Sequence, residues 1–170
     1  MIIITKAGTN DIQMIQSVAN IAFPATYSEI LSNEQITYMM EWMYSTDSLT
    51  RQMNEEGHIY YIAKEDNLPV GFVSIQQEGK DLFHLQKIYV LPDKQKKHIG
   101  SQLFKKAVQA IRELHPESSC VMELNVNRYN KALDFYKRMG MHIAREGDFP
   151  IGNNFFMNDY IMALEIQPQQ

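Results

Sequence analysis

The chain has 170 residues, 45% of them hydrophobic and 21% charged, with a formal net charge of −4. That length fits one domain with its own core, and the composition excludes global disorder, a collagen-like rod and a coiled coil. No apolar run approaches the roughly 18 residues that span a bilayer, the lone Cys120 excludes an internal disulfide and a cysteine-rich zinc site, and net negative charge argues against general nucleic-acid binding.

Residues 1–6 carry no basic n-region and no cleavage pattern, so the expected location is cytoplasmic. Residues 2–5 are β-branched and predict a strand. Residues 11–21 place Ile12, Ile15, Val18 and Ala19 at helical spacing. Ser32 followed by Gln35 resembles a capping box that opens a helix through Met43, and Thr46, Asp47 and Ser48 offer caps for a third helix ending near Gly57. Residues 58–64 and 69–77 read as strands around an Asp66-Asn67 turn, and residues 82–91 as another strand stopped by Pro92. Ile99, Leu103, Ala107 and Ile111 recur every four residues and predict a helix over 99–114, with Pro116 just past its end. Residues 120–126 are strand-like, and 130–139 predict a helix closed by Gly140. Strands over 141–145 and 155–166 finish the chain. No repeat, linker or low-complexity tract divides residues 1–170, so a single α/β (α+β) domain with a mixed sheet is expected.

Charge is concentrated. Residues 87–106 hold six lysines against Asp93, a net of +5, while residues 24–56 sum to −5. A basic loop on an acidic protein serves either a small anionic ligand or a solvated surface patch. Between strand 82–91 and helix 99–114 the chain reads Pro92-Asp93-Lys94-Gln95-Lys96-Lys97-His98-Ile99-Gly100-Ser101. A helix start has free N–H groups and the positive dipole end, which suit phosphate. Gly100 leaves room for close approach. Neither a Walker A loop nor a Rossmann fingerprint is present.

This stretch resembles motif A of the GNAT acetyltransferases, [Q/R]-x-x-G-x-[G/A], after an Ile88-Tyr89-Val90 strand. Gln95 matches the first position and Gly100 the last, while His98 stands where the family has its first glycine. Residues 124–141, with Asn127, Asn130, Phe135, Tyr136 and Gly140, resemble the family's L-x-V-N-x-x-N-x-x-A-x-x-F-Y-x-x-x-G-F segment. The resemblance implies a single GNAT domain over 1–170, a splayed mixed sheet of about seven strands with four to five helices, and acetyl-CoA as co-substrate without a metal. It implies that Ile88, Tyr89 and Val90 meet the pantetheine arm, that Lys96, Lys97, His98, Ile99, Gly100 and Ser101 hold the diphosphate with Gln95 at the loop's start, and that Asn127, Asn130 and Tyr136 lie near the pantetheine and thioester sulfur.

Acetyl transfer to an amine needs three things. The ammonium, with a pKa of about 10.4, must lose a proton; the oxyanion needs a donor; and the thiolate leaves more easily when protonated. Tyr136 is the candidate general acid, against a plain core tyrosine. The strand over 82–91 lacks the glutamate that often serves this family as base, and His84 is the candidate in its place, against a partly exposed strand histidine. Residues 25–30, followed by a Met- and Trp-rich segment, are similar to bacterial GNATs grouped with polyamine acetyltransferases. Tyr27, Glu29 and Glu41 are therefore the candidate acceptor-binding residues, against carboxylates on a solvated helix face. The expected activity is N-acetylation of a small primary amine, with polyamines as one class. The alternatives are a protein or peptide N-acetyltransferase and a non-catalytic acyl-CoA sensor. Expected partners are acetyl-CoA and an amine, without nucleic acid or membrane, and a homodimer.

Overall fold

The computed structural model describes residues 1–169; Gln170, the last residue of the expected domain, lies outside the described residues. Strand β1 (Ile2–Lys6) leads into helices α1 (Ile12–Tyr27), α2 (Asn33–Tyr44) and α3 (Thr46–Asn54). Strands β2 (His58–Glu65), β3 (Leu68–Gly79) and β4 (Leu82–Val90) form a meander, joined to α4 (Ile99–Leu114) by a 3-10 stretch over Pro92–Lys97. Strand β5 (Cys120–Asn127), helix α5 (Ala132–Arg138) and the hairpin β6 (His142–Gly152) and β7 (Phe155–Ile166) complete the chain. All seven strands form one mixed sheet in the order β1-β2-β3-β4-β5-β7-β6. Every neighbouring pair is antiparallel except β4 with β5.

Local chemistry explains the element ends. The Ser32 hydroxyl accepts from the Gln35 N–H and caps α2, as its sequence position suggests. The cap of α3 is Ser45, one residue before the expected Thr46-Asp47-Ser48 group; its hydroxyl accepts from Ser48 N–H. Asp66 and Asn67 both adopt the left-handed conformation, with φ of 51° and 68°, which a two-residue hairpin with the sheet's twist requires. Helix α1 runs six residues past the expected end at Ile21 and carries Pro24 in its last turn. Helix α5 starts later than Asn130, because the Asn130 side chain accepts from Ala132 N–H and forms a turn there. Strand β6 extends to Gly152 rather than Arg145.

The sheet separates two apolar cores. One lies under α4 and α5 and includes Phe83, Leu85, Leu103, Phe104, Ile111 and Met122. The other lies under α1–α3 and includes Ile15, Phe23, Leu49, Tyr60, Ile62 and Phe72. A bulge in β4 sets which residues reach which core. Ser74 pairs with Lys87 and Ile75 with Leu85, so Gln86 has no partner on β3. Phe83 and Leu85 therefore face α4, whereas Lys87 and Tyr89 are shifted to the α1–α3 face. Gly71 on β3 is a point of close approach: a Cβ there would lie 2.9 Å from the Tyr89 carbonyl and 3.1 Å from Leu103 Cδ1.

The bulge also buries a cation. Lys87 is 8% exposed. Its Nζ donates to Gln52 Oε1 at 2.8 Å and to the Tyr60 hydroxyl at 2.7 Å, and stands over the Tyr44 ring at 4.8 Å. No carboxylate among the described residues makes an ion pair with it. Burial pulls the amine down from its usual 10.5 to about 7, only partly opposed by the more distant charge of Glu56.

Two expectations follow. Gly71→Ala forces backbone or Leu103 to yield and lowers stability by about 1–3 kcal/mol in denaturant unfolding. The unfolded chain holds the Lys87 proton between about pH 7 and 10 while the folded chain releases it, so Lys87 makes folding more favourable as pH rises through that window. Lys87→Met removes the charge and leaves Tyr60 donating to Gln52 at 2.6 Å, so the variant gains most stability at pH 7 and below and approaches wild type near pH 10. Unfolding curves at several pH values check both the sign and the window.

Candidate active site

Strands β4 and β5 pair over only three positions, Leu82–Val121, Phe83–Met122 and His84–Glu123. Beyond them the strands diverge, and a cleft of about 870 Å³ opens between Leu85–Val90 on one side and Leu124–Val126 on the other. Along this gap the facing strand edges have no partner for their backbone groups, which must be met by solvent or a ligand. The same cleft reaches the start of α4, the end of α1 and the cavity-facing side of α5.

At the α4 end the wall is built from Gln95, Lys96, His98, Gly100 and Ser101, with Lys131 and Arg138 across from them. The first amides of α4 lack intrahelical partners, and the helix dipole adds positive potential. His98 has φ +60° and ψ 20°, the left-handed conformation, so the residue in the family's glycine position adopts the geometry that glycine allows at least cost. Its carbonyl accepts from Ser101 Oγ at 3.0 Å and from Gln102 N–H. A Cβ on Gly100 would meet only Phe135 at 3.6 Å and Val90 at 4.0 Å, ordinary contacts. Packing therefore does not demand a glycine there, and the space it leaves opens onto the cleft.

The middle of the cleft is phenolic. Tyr27, Tyr89 and Tyr136 all line it. Tyr27 packs against Phe23 with ring centroids 4.7 Å apart and the rings tilted by 44°, and its hydroxyl lies beside Tyr89 and Asn130. Tyr136 is held by Phe135 in an edge contact of 5.4 Å. Burial is the largest cause raising the pKa of all three hydroxyls above the ordinary value, so each is protonated at neutral pH. At the α1 end the wall carries Thr26, Ser28 and Glu29, with Gln86 and Asn125 facing them.

Most residues singled out in the sequence come together here: Tyr27, Glu29, Ile88, Tyr89, Val90, Gln95, Lys96, His98, Gly100, Ser101, Asn130 and Tyr136. Five do not line the cleft. His84 sits where β4 and β5 are still paired, its Nδ1 3.2 Å from Glu78 and its ring near Glu123 and Arg145. Lys97 is drawn to Glu65 at 3.2 Å, beside Lys94 at 2.6 Å on the same carboxylate. Ile99 is fully buried in the α4 core. Asn127 is buried and its side chain accepts from Tyr129 N–H, shaping the turn after β5. Glu41 is exposed on α2, away from the cleft. Cys120 is buried at the start of β5, where burial raises its thiol pKa. Sequence reasoning missed Asn125 and Lys131, whose side-chain types carry no signal until the strands are seen to part.

Comparison with known proteins gives the same answer as the geometry. The model of the acetyltransferase (GNAT) domain matches residues 27–147. PaiA N-acetyltransferase from Thermoplasma acidophilum, solved in complex with coenzyme A, is 23% identical with a TM-score of 0.78, covering 96% of this chain and 98% of that one. A ribosomal-protein alanine N-acetyltransferase from Escherichia coli is 18% identical with a TM-score of 0.72, covering 100% and 97%. YncA from Salmonella typhimurium, solved with its cofactor acetyl-CoA, is 14% identical with a TM-score of 0.67, covering 100% and 96%. With the family model spanning well over half of its length, the chain belongs to the GNAT acetyltransferase family.

Proposed function

We propose that this acetyltransferase moves an acetyl group from acetyl-CoA to the primary amine of a small cationic molecule, by direct transfer with both substrates bound. The observation that carries the reading is the polarity of one continuous cleft: lysines, an arginine and a helix start at one end, Glu29 at the other, and Tyr136 between them. The residues present fit acetyl-CoA. The amides of Gly100 and Ser101, with Lys96, would receive the diphosphate; the unpaired edges of β4 and β5 would take the amide-bearing arm as a strand takes a partner. When bound, acetyl-CoA supplies an activated acyl group on a good leaving thiol.

The chain's own groups then divide the work. Backbone N–H groups along the free edge of β4 can donate to the developing oxyanion. The Tyr136 hydroxyl, protonated at neutral pH, can give its proton to the departing sulfur. Glu29 draws the acceptor's ammonium toward the open side of the cleft. His84 is set aside as the base, because the pairing of β4 with β5 keeps it out of the cleft, and the acceptor's ammonium gives its proton to solvent water at the cleft's open side before the amine attacks.

Thermal-shift titration tests cofactor binding, since a ligand that binds only the folded state raises stability by RT ln(1 + [L]/Kd). Acetyl-CoA and CoA raise Tm, 3′-dephospho-CoA raises it less, and ATP and NADH leave it unchanged. No shift with any CoA species rejects the reading. A transfer assay over free amines and amine-terminated peptides then separates small-molecule from peptide acceptors. Tyr136→Phe keeps the CoA-induced shift while kcat falls about a hundredfold or more; an unchanged kcat rejects the acid role.

A further inference from the structure

We infer that Asn125 is the residue that reads the acceptor amine, with its side-chain carbonyl presented to the cleft because Asp159 takes the other end of the same amide. The inference rests on the amine reading above and adds a specificity-determining group to it.

Asn125 lies on β5 and Asp159 on β7, two positions apart on the same face: Asn125 pairs with Ile161, and Asp159 with Asn127. That face is the α1 side, since Met157, the next residue of β7 on it, packs into the α1–α3 core. The neighbours of Asn125 on β5, Leu124 and Val126, point the other way into the α4 core. Asn125 itself is exposed and lines the cleft. Its Nδ2 donates to Asp159 Oδ2 at 3.2 Å.

An ionised carboxylate only accepts hydrogen bonds. It can therefore bind the NH₂ end of the Asn125 amide and not the carbonyl end, so the amide's orientation is fixed. Oδ1 of Asn125 is left free of protein partners among the described residues, on the wall of the cleft.

Asp159 is costly as a purely structural device. The residue is 4% exposed, and its Oδ1 is buried without a hydrogen-bond partner. Burying a carboxylate with one side-chain hydrogen bond disfavours folding. Burial raises its pKa, against the lowering effects of the Asn125 amide and the Arg128 guanidinium. Arg128 makes no ion pair with Asp159: its Nη2 donates to Gly147 O at 3.1 Å and Asp148 Oδ1 at 3.0 Å, and its Nε is buried without a hydrogen-bond partner. What the arrangement secures is the direction of one exposed amide.

The surrounding wall agrees. The α1 end of the cleft offers the Glu29 carboxylate and the hydroxyls of Thr26 and Ser28, while the cleft's exposed cations stand at the α4 and α5 end. Lys87, the cation nearest Gln86, sends its ammonium away under α3 to Gln52 and Tyr60. A wall of acceptors fits a group rich in N–H donors, a primary alkylammonium or the amine formed from it.

The test uses the full chain with acetyl-CoA and butylamine, putrescine, spermidine and phenethylamine as acceptors. For the best acceptor of wild type, Asn125→Ala raises the amine KM roughly tenfold to a hundredfold, the size of a charge-assisted hydrogen bond. The acetyl-CoA KM and the CoA-induced thermal shift stay within twofold. Asp159→Asn, which lets the amide turn either way, raises the amine KM more than it lowers kcat, and its Tm is no lower than wild type because a buried charge has gone. An amine KM within twofold of wild type for Asn125→Ala overturns the inference and leaves the amine reading standing. An Asp159→Asn variant with a Tm well below wild type overturns the orienting role of Asp159, and the Asn125→Ala result then decides for Asn125. Wild type that shifts with CoA yet acetylates none of the four amines removes both.

Discussion

The parallel pairing of β4 with β5 stops after three residue pairs, and the site depends on that stop. Had the ladder continued, the backbone groups of Leu85–Val90 and Leu124–Val126 would satisfy one another and the sheet would be closed. Because they do not, two strand edges face each other across a gap whose backbone groups a long, amide-bearing ligand can meet on both sides. The helices are arranged around this opening. α4 starts at one end of it, α1 finishes at the other, and α5 lays Tyr136 over the middle, with Asn130 in the turn before the helix.

Within that frame, burial sorts charge. Titratable groups sent into the cores change their acid–base character: the Lys87 amine falls to about 7, and the phenols of Tyr27, Tyr89 and Tyr136 rise. Groups on the cleft walls keep cations at one end and a carboxylate at the other. The bulge at Gln86 is the device that separates these fates, because it moves Lys87 off the α4 face and leaves Ile88 and Val90 packed against it.

How much of this can be read in the sequence varies by element. The four-residue recurrence of Ile99, Leu103, Ala107 and Ile111 marks α4 to the residue, because one face of a long helix must meet a core. Ser32 and the Asp66-Asn67 turn are equally visible, since their chemistry is local. The bulge is silent, as Gln86 is an ordinary strand residue by type. Lys87 and Lys97 count as loop-side positive charge in the sequence, yet the first is buried under α3 and the second is tied to Glu65. His84 and Glu41 have suitable chemistry in suitable segments, and only the strand register and the helix direction exclude them from the cleft. Asn125 and Asp159 are 34 residues apart, so their hydrogen bond has no sequence signature.

The short β4–β5 seam also divides the molecule mechanically. β1 to β4 with α1–α4 form one continuous antiparallel half, and β5 to β7 with α5 form the other. The connection between α4 and β5 passes through His115, whose ring meets Asp81 at 2.8 Å beside the turn before β4. A ligand seated in the cleft touches both halves at once and acts as a rivet across the seam. Occupancy then couples the hydrogen exchange of two halves that are otherwise joined by one loop, a three-residue ladder, the packing of α4 against α5, and the contacts of α2 with the β6–β7 hairpin, where Gln35 donates to Phe156 O and Tyr38 to Ile151 O.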